Sequence, residues 1–573
     1  MRSSRYRITG EDEKNLRKPL LILLLPLLFS SVFLISPGNL LASAQAGMEI
    51  AGGNVYEVVE LEFSGPTLGP EDAPAKDIDF WVRFRHRKDG AEHKVYGFWD
   101  GDGTGGNSGN SFKVRFCPTR PGRWLLEQVY SNAPELNGQQ EGAYITVQPG
   151  RHPGFWIVDS ASAGHRWYQR SNGAHQYIIG NTHYSFLSGY KANGVPSGND
   201  IRSDIIGNAR FFKKLRFGLS GDYYPDPEVK PFLDSLGAPT DWGDFSHRPN
   251  PAWFHNRVDA AVQTGYTQDL ITDLILAGPD TEQSRSTLRA RHNNGDPAPF
   301  LKYIAARYGS YPNVWICLCN EYDIRTPSYS EGEIARFGRM LGDYLAYPIP
   351  VSVHSTPSTR WPAEFDRLSD WYDHQIIQNK LRNLPQSADV LYRVWQHPEA
   401  AGHRCRPTIN DELSYQGRGD EHNEGDTIES HLGAFLGGGY ATTGSKPGSK
   451  TGQYFRGNFN RREHSAADNL RWLRQIIDTE IAFWNMAPDH SIYSNLHDDF
   501  RGLAWIGHQY VLGTNQSHEN IVVHLPAGTW TLTRFDVISM TRQIMARDVT
   551  GRFSFDAPES RAVLFLFIRG TDL

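Results

Sequence analysis

The rhythm of hydrophobic and polar positions changes twice along the chain. Between residues 49 and 150 apolar residues recur at every second position: Val55 to Phe63, Asp79 to Arg85, Ser111 to Phe116 and Trp124 to Tyr130 all alternate. That period belongs to half-buried strands. Clusters of Gly, Pro and Asn part the runs at the spacing of a β-sandwich. From about residue 151 short apolar runs alternate with stretches of helical period, the mark of an α/β barrel. The runs predict strands at 176–183, 217–224, 271–277, 313–319, 350–354, 371–377, 407–412 and 439–443. Helices are predicted over 204–215, 300–308, 331–347, 388–397, 427–436 and 466–483. The last of these sets Leu470, Leu473, Ile476, Ile477 and Ile481 on one stripe. Short strands parted by turn residues return from about 495. The fold class predicted is multidomain: an Ig-like β-sandwich over 49–150, a central (β/α)8 TIM barrel over 151–490 and a small C-terminal β-sandwich over 495–573.

Length agrees, since 573 residues exceed what one core can organise. A net charge of −6 with no basic block beyond the N-terminus gives no sign of a nucleic-acid partner. Residues 1–44 read as an export signal: a basic start, an apolar run from Leu20 to about Ile35, and Ala42-Ser43-Ala44 as the cleavage pattern. The run is short for a membrane span and Pro26 interrupts it. The mature chain is therefore expected near Gln45 onward, secreted or periplasmic and without stable membrane insertion. Four cysteines are too few for a disulfide framework in an exported chain of this size. Cys317 and Cys319 read as small buried hydrophobes. No His/Cys spacing suits zinc, and Asp100 and Asp102 lack the full calcium-loop spacing, so neither metal nor cofactor is expected. The loop Tyr96 to Gly103 is read as a hairpin tip or as an arm reaching into a cleft.

The candidate chemistry sits where two predicted strands end. The run from Asn313 stops at Asn320-Glu321, and the run from Pro407 stops at Asp411-Glu412. The two glutamates are 91 residues apart, which suits three β/α units of about 30 residues each. Glu321 would then end strand four and Glu412 strand seven, across the mouth of the barrel where chemistry gathers. Paired carboxyls flanking one bond are the equipment of glycoside cleavage. In that scheme Glu321 is the general acid/base, Glu412 the nucleophile, and the Asn320 amide binds a sugar 2-hydroxyl. Asp411 competes with Glu412, because alternation along a strand turns only one of them inward. Tyr415 or His374 is expected to hydrogen-bond Glu412 and keep it ionised. His183, Asp222, His354 and His374 are strand-end candidates for sugar hydroxyls. Tyr224, Trp361 and Trp484 are candidate stacking platforms.

The Asn-Glu ending followed by a later strand-end Glu resembles the clan of retaining (β/α)8 glycoside hydrolases that includes cellulases and β-galactosidases. Four segments, Phe98 to Gly103, Tyr177 to His183, Trp315 to Glu321 and Ile409 to Glu412, resemble a narrower group of exported bacterial proteins. In these a β-sandwich precedes an apiosidase-like or cellulase-like barrel and a small β domain follows, in some members assigned to collagen binding. The resemblance implies acid/base and nucleophile roles at Glu321 and Glu412. Some apiosidase-like members carry Asp at strand four, where this chain has Glu321, so apiosidase specificity does not carry over. The expected partner is a poly- or oligosaccharide. The alternative from another class is a non-catalytic glycan- or matrix-binding protein that keeps the barrel as a scaffold.

Overall fold

The computed structural model describes residues 47–570, except 185–186, 189–197, 221–229, 279–280, 325, 357–368, 418–420 and 447–461. At its centre lie eight strands: β1 (Ile179–Thr182), β2 (Lys214–Gly218), β3 (Ile271–Ala277), β4 (Val314–Cys319), β5 (Val351–Ser352), β6 (Gln375–Ile377), β7 (Thr408–Asn410) and β8 (Tyr440–Lys446). Their order in space is β5-β4-β3-β2-β1-β8-β7-β6, every ladder parallel. One parallel bridge, His354 to Ile376, joins the two end strands, so the sheet is a nearly closed barrel. Parallel neighbours require crossovers. Helices at Gly198–Ala209, Asp259–Thr267, Ala298–Tyr308, Glu331–Tyr344, Leu384–Ala401 and Glu424–Leu436 lie in these crossovers on the outside, and Ala467–Glu480 follows β8. Two of these open with capping boxes, Ser330 with Glu333 and Asn423 with Asp426, which fix where each βα loop ends. No helix among the described residues is long and apolar enough to cross a membrane.

Two of the strands that start elsewhere than predicted decide what enters the barrel. The helix predicted to run to 215 ends at Ala209, and β2 begins at Lys214 rather than 217. Lys-Leu-Arg-Phe alternates, and it turns Lys214 and Arg216 inward. The run 371–377 is strand only over Gln375–Ile377, so His374 precedes β6 instead of ending it. A hairpin of Trp156–Val158 and Tyr168–Arg170 closes the floor of the barrel. There the Tyr168 ring packs 4.7 Å from Trp315, and its hydroxyl meets His374 Nδ1 at 2.9 Å.

Residues 49–148 form a seven-stranded sheet rather than the four runs read from alternation alone. Strand Glu92–Trp99 pairs with Phe80–His86 in its first half and with Gly109–Phe116 in its second. It bends at Gly97, where a Cβ would sit 2.2 Å from the Phe80 ring. The sheet thereby folds into two layers, with Phe84 and Phe116 stacked at 4.0 Å between them. One layer docks on the barrel through buried charges. Arg307 pairs with Asp100 and Asp259 at 2.8 Å each, and Arg115 reaches Asp259 at 2.6 Å and Glu60 at 2.8 Å. Asp100 also meets Lys113 and His255, at 2.9 Å each. Of the two readings of the loop from 96 to 103 the hairpin holds, since it leads into the turn between strands Glu92–Trp99 and Gly109–Phe116, and its Asp100 keys the joint between sheet and barrel.

The last segment forms a six-stranded sheet over 487–569 with a paired Ile521–Phe555 ladder across it. Leu503, Val511, Leu564 and Leu566 pack it against Ile428, Leu432, Leu470 and Leu473 of the barrel helices. Arg501 clasps Asp389 at 2.6 and 2.7 Å and Arg561 bridges to Asp426 at 2.8 Å, which pins the sheet to helices Leu384–Ala401 and Glu424–Leu436.

Candidate active site

The strand ends converge on one well. β7 stops at Asn410, whose Nδ2 donates to the Asn379 carbonyl at 2.9 Å and whose Oδ1 accepts the Asn379 N–H at 3.2 Å. Beyond the ladder the alternation lapses, and both Asp411 and Glu412 are buried. The expectation that only one turns inward is corrected: they sit at two levels. Asp411 belongs to the lower one, where its Oδ1 meets Lys214 Nζ at 2.5 Å and accepts from Thr442 Oγ1 at 2.6 Å. Lys214 also holds Asp273 at 2.9 Å. The branched aliphatic filling usual for such a barrel is here replaced by buried ions.

Glu412 occupies the upper level. Its Oε2 accepts from Gln378 Nε2 at 2.6 Å and its Oε1 from the Tyr184 hydroxyl, with Arg216 Nη1 3.8 Å away. Arg216 Nη1 also donates to the Tyr184 oxygen at 2.7 Å, and Nη2 donates to Asn320 Oδ1. His354 Nδ1 lies 2.5 Å from the same Asn320 oxygen. Burial and the Arg216 charge push the His354 imidazole far below its ordinary range, so it is neutral. Asn320 Oδ1 can only accept, which favours the proton on His354 Nδ1 against the Arg216 Nη2 donor 3.1 Å from that same nitrogen. With Oδ1 taken twice, the Asn320 amide hydrogens are the part left for a ligand.

Glu321 follows directly and is buried, with φ at +46°, a left-handed conformation that costs a non-glycine residue of order 1–3 kcal/mol. Arg285 holds that geometry, donating to the carbonyls of Asn320 at 2.7 Å and of Glu321 at 3.1 Å. Gly278 crosses beneath at φ +109°, where a Cβ would sit 3.2 Å from that of Asn320. Burial pushes the Glu412 carboxyl up, and the charge of Glu321 pushes the same way. Arg216 and the Tyr184 hydroxyl hold it back. Two carboxyls close enough to disfavour a second charge, one set among fixed donors, can divide acid and base roles.

Of the residues chosen from sequence, Asn320, Glu321, His354, Glu412 and Tyr415 come together here. Tyr415 acts at one remove, its hydroxyl 3.4 Å from that of Tyr184. His374 does not reach Glu412; it lies on the floor with Tyr168 and Trp315, because β6 starts after it. His183 lies on the helix side of β1, 3.3 Å from Asp204 and 3.2 Å from Asn181 Nδ2. The strand-end position toward the well belongs to Tyr184. Trp484 stacks on His175 at 4.4 Å, beside the N-terminal end of β1 and away from the mouth. Asp222, Tyr224 and Trp361 lie outside the described residues. The residues that sequence reading missed are Tyr184, Arg216 and Gln378. Gln378 was legible in its place directly after the β6 run, whereas Arg216 falls between a helix predicted over 204–215 and a strand predicted from 217.

Residues 228–431 match the sequence profile of an apiosidase-like catalytic domain, and residues 53–129 match that of a domain of unknown function (DUF5060). No curated protein matches the chain. Among solved structures, a provisionally assigned glycoside hydrolase from Bacteroides vulgatus ATCC 8482 shares the fold with a TM-score of 0.67. It is 19% identical and the match covers 91% of this chain and 100% of that one. A protein described as a glycoside hydrolase aligns at a TM-score of 0.55 and 12% identity, over 73% of this chain and 98% of that one. A family 5 glycoside hydrolase, also from Bacteroides vulgatus ATCC 8482, aligns at 0.54 and 12% identity, over 73% and 94%. The fold is that of the glycoside hydrolase barrels. At these identities the likeness is one of fold alone.

Proposed function

We propose that the protein is an exported glycoside hydrolase that cleaves a poly- or oligosaccharide by double displacement with retention. Glu412 is the nucleophile and Glu321 the general acid/base. The observation that carries this reading is the setting of Glu412: buried, bonded through both oxygens to Tyr184 and Gln378, beside Arg216, and within electrostatic reach of Glu321. A carboxylate held on both oxygens cannot rotate away from an anomeric carbon, which is the geometric demand on a nucleophile. Arg216 keeps the ionised form accessible although burial opposes it. The Asn320 amide, fixed by Arg216 and His354, offers its hydrogens to the sugar 2-hydroxyl, a contact that tightens as the oxocarbenium ion develops. Glu321 protonates the departing oxygen and then takes the proton from water.

The test is product release from a glycan panel by the mature chain beside Glu412→Gln and Glu321→Gln. Glu412→Gln should lose activity by several orders of magnitude on every substrate. Glu321→Gln should lose it on glycans but keep formation of the glycosyl-enzyme from aryl glycosides, whose leaving group needs no proton. NMR of the first-formed anomer should show retention. An inverted anomer would place the carboxyls in the wider geometry of roughly 6.5–9.5 Å. Glycan binding without release in all three proteins would favour the scaffold alternative.

A further inference from the structure

The outward face of the N-terminal sheet carries a pattern that the barrel chemistry does not use. Register aligns Tyr96, Trp81 and Tyr130 in one row across three strands, and Lys94, Arg83 and Gln128 in the next. Trp81 and Tyr130 stack at 5.2 Å, and Lys94 Nζ lies 4.6 Å from the centroids of both Trp81 and Tyr96. One edge adds Arg123, 4.6 Å over the Tyr144 ring. Arg85 is neutralised by Glu127 at 2.7 Å and Glu92 at 3.7 Å. Arg83, Lys94 and Arg123 pair with no carboxylate among the described residues. Tyr130 is 39% exposed. A chain of net charge −6 thus gathers unneutralised cations and aromatic rings on one sheet face, whose Tyr96 end packs 5.4 Å from Tyr344 of a barrel helix.

Cross-strand aromatic pairs by themselves need only stabilise a sheet. The cations also stabilise the sheet through the rings they cover, Arg83 lying 5.7 Å from the Trp81 centroid, but these contacts leave Arg83, Lys94 and Arg123 without a counter-charge among the described residues. We propose that this face binds a polyuronate chain, whose carboxylates meet Arg83, Lys94 and Arg123 while a sugar ring lies on the free face of Tyr130. The planar Arg fork matches a carboxylate. Arg83 and Lys94 stand opposite each other on neighbouring strands, about 4.8 Å apart at the backbone, and Arg123 lies five residues along its strand from Gln128, which faces Arg83. A nucleic-acid strand would want successive free ring faces for its bases, whereas Trp81 is already covered by Tyr130 and Lys94. The surface lies apart from the well and does not rest on its chemistry.

The test uses the full mature chain carrying Glu412→Gln, so that nothing is cleaved, in affinity electrophoresis and calorimetry. The probes are polygalacturonate, a neutral galactomannan, dextran sulfate and single-stranded DNA. Polygalacturonate should be retained and the galactomannan not. Arg83→Gln with Lys94→Gln should weaken retention about tenfold or more, as expected for two exposed charge-assisted contacts. Tyr130→Ala should weaken it without changing its salt dependence. Should the double variant misfold, the exposed Arg123→Gln reads the same surface. Retention unchanged in these variants, no retention of polygalacturonate, or tighter retention of dextran sulfate or DNA overturns the proposal.

Discussion

Replacing Arg216 by Met tests the proposed site most severely, because one buried cation serves four partners there. Its fork donates to Tyr184 and Asn320, its Nη1 lies 3.8 Å from Glu412, and its Nε lies 3.9 Å from Asp411. Met keeps an unbranched apolar stem and removes the guanidinium and its charge. Two charge-assisted hydrogen bonds of about 1.5–3 kcal/mol each are lost, and the preorganised placement of Asn320 and Glu412 goes with them. Loss of one such donor elsewhere costs about 10²–10³ in kcat; the same or somewhat more is expected here. The more specific outcome is a shift in the pH profile. Glu412 must be ionised to attack, so activity falls as pH falls through its pKa. Burial already raises that pKa above the ordinary glutamate value, and Arg216 opposes the rise. In the wild type the acid limb of kcat/KM should therefore lie above the ordinary glutamate range, and in Arg216→Met it should move to still higher pH. Arg216→Lys restores the charge without the fork. It should return the acid limb most of the way and kcat only in part. The assay is kcat/KM from pH 3.5 to 8 on whichever glycan is released, with folding checked by thermal unfolding. An acid limb unmoved in Arg216→Met, with kcat within threefold of wild type, would refute the electrostatic account of the site.

Other perturbations follow from the same network. Lys214→Met leaves Asp273 and Asp411 facing each other without their cation, and should cost about 3–5 kcal/mol of stability, read by denaturant unfolding. Arg307→Met removes the buried partner shared by Asp100 and Asp259, and should loosen the N-terminal sheet from the barrel, seen as faster hydrogen exchange in 298–308 and 109–116. The imidazole of His374, buried on the barrel floor, is pushed down to about 3. Its depressed folded-state value means the unfolded chain binds more protons below about 6.5. That contribution to stability is full above about 6.5 and is lost as pH falls toward 3, so His374→Phe should flatten the stability profile over this window.

The elements that alternate cleanly were legible, and so were the carboxylates that end them. Asn320-Glu321 and Asp411-Glu412 announce themselves because an apolar run stops at a charge. What stayed hidden is what enters the barrel from the middle of a strand. Lys214 and Arg216 look like the polar face of an amphipathic helix when Ile205, Ala209 and Phe212 are read at helical period. Only tertiary pairing with Ile271 to Ile275 shows that residues 214–218 are a strand. His374 misled for the converse reason. The run 371–377 has apolar residues at both ends and Asp373, His374 and Gln375 between them, and that composition does not reveal on which residue the ladder starts. His183 and Tyr184 differ by one position, and a one-residue difference is a difference of face.

The two-level arrangement of Asp411 and Glu412 explains why the interior is charged at all. A nucleophilic carboxylate over an aliphatic interior would face only burial, which drives it toward the neutral acid. A single cation beneath it would bind it too directly and occupy the face that must attack. Here Lys214 is taken up by Asp411 and Asp273 below, so it fixes the floor without reaching the rim. Arg216, one pleat higher, is shared among Tyr184, Asn320 and Asp411, and approaches Glu412 no closer than 3.8 Å. The carboxylate receives a positive field while its bonds come from neutral donors, Tyr184 and Gln378. If that division of labour is the reason for the buried ions, removing the whole lower layer, with Lys214→Met, Asp273→Leu and Asp411→Leu together, should recover most of the stability lost by Lys214→Met alone. It should nonetheless leave kcat depressed, because Arg216 loses the carboxylate that keeps it off Glu412. Recovery of both stability and kcat would show that the lower layer only fills space.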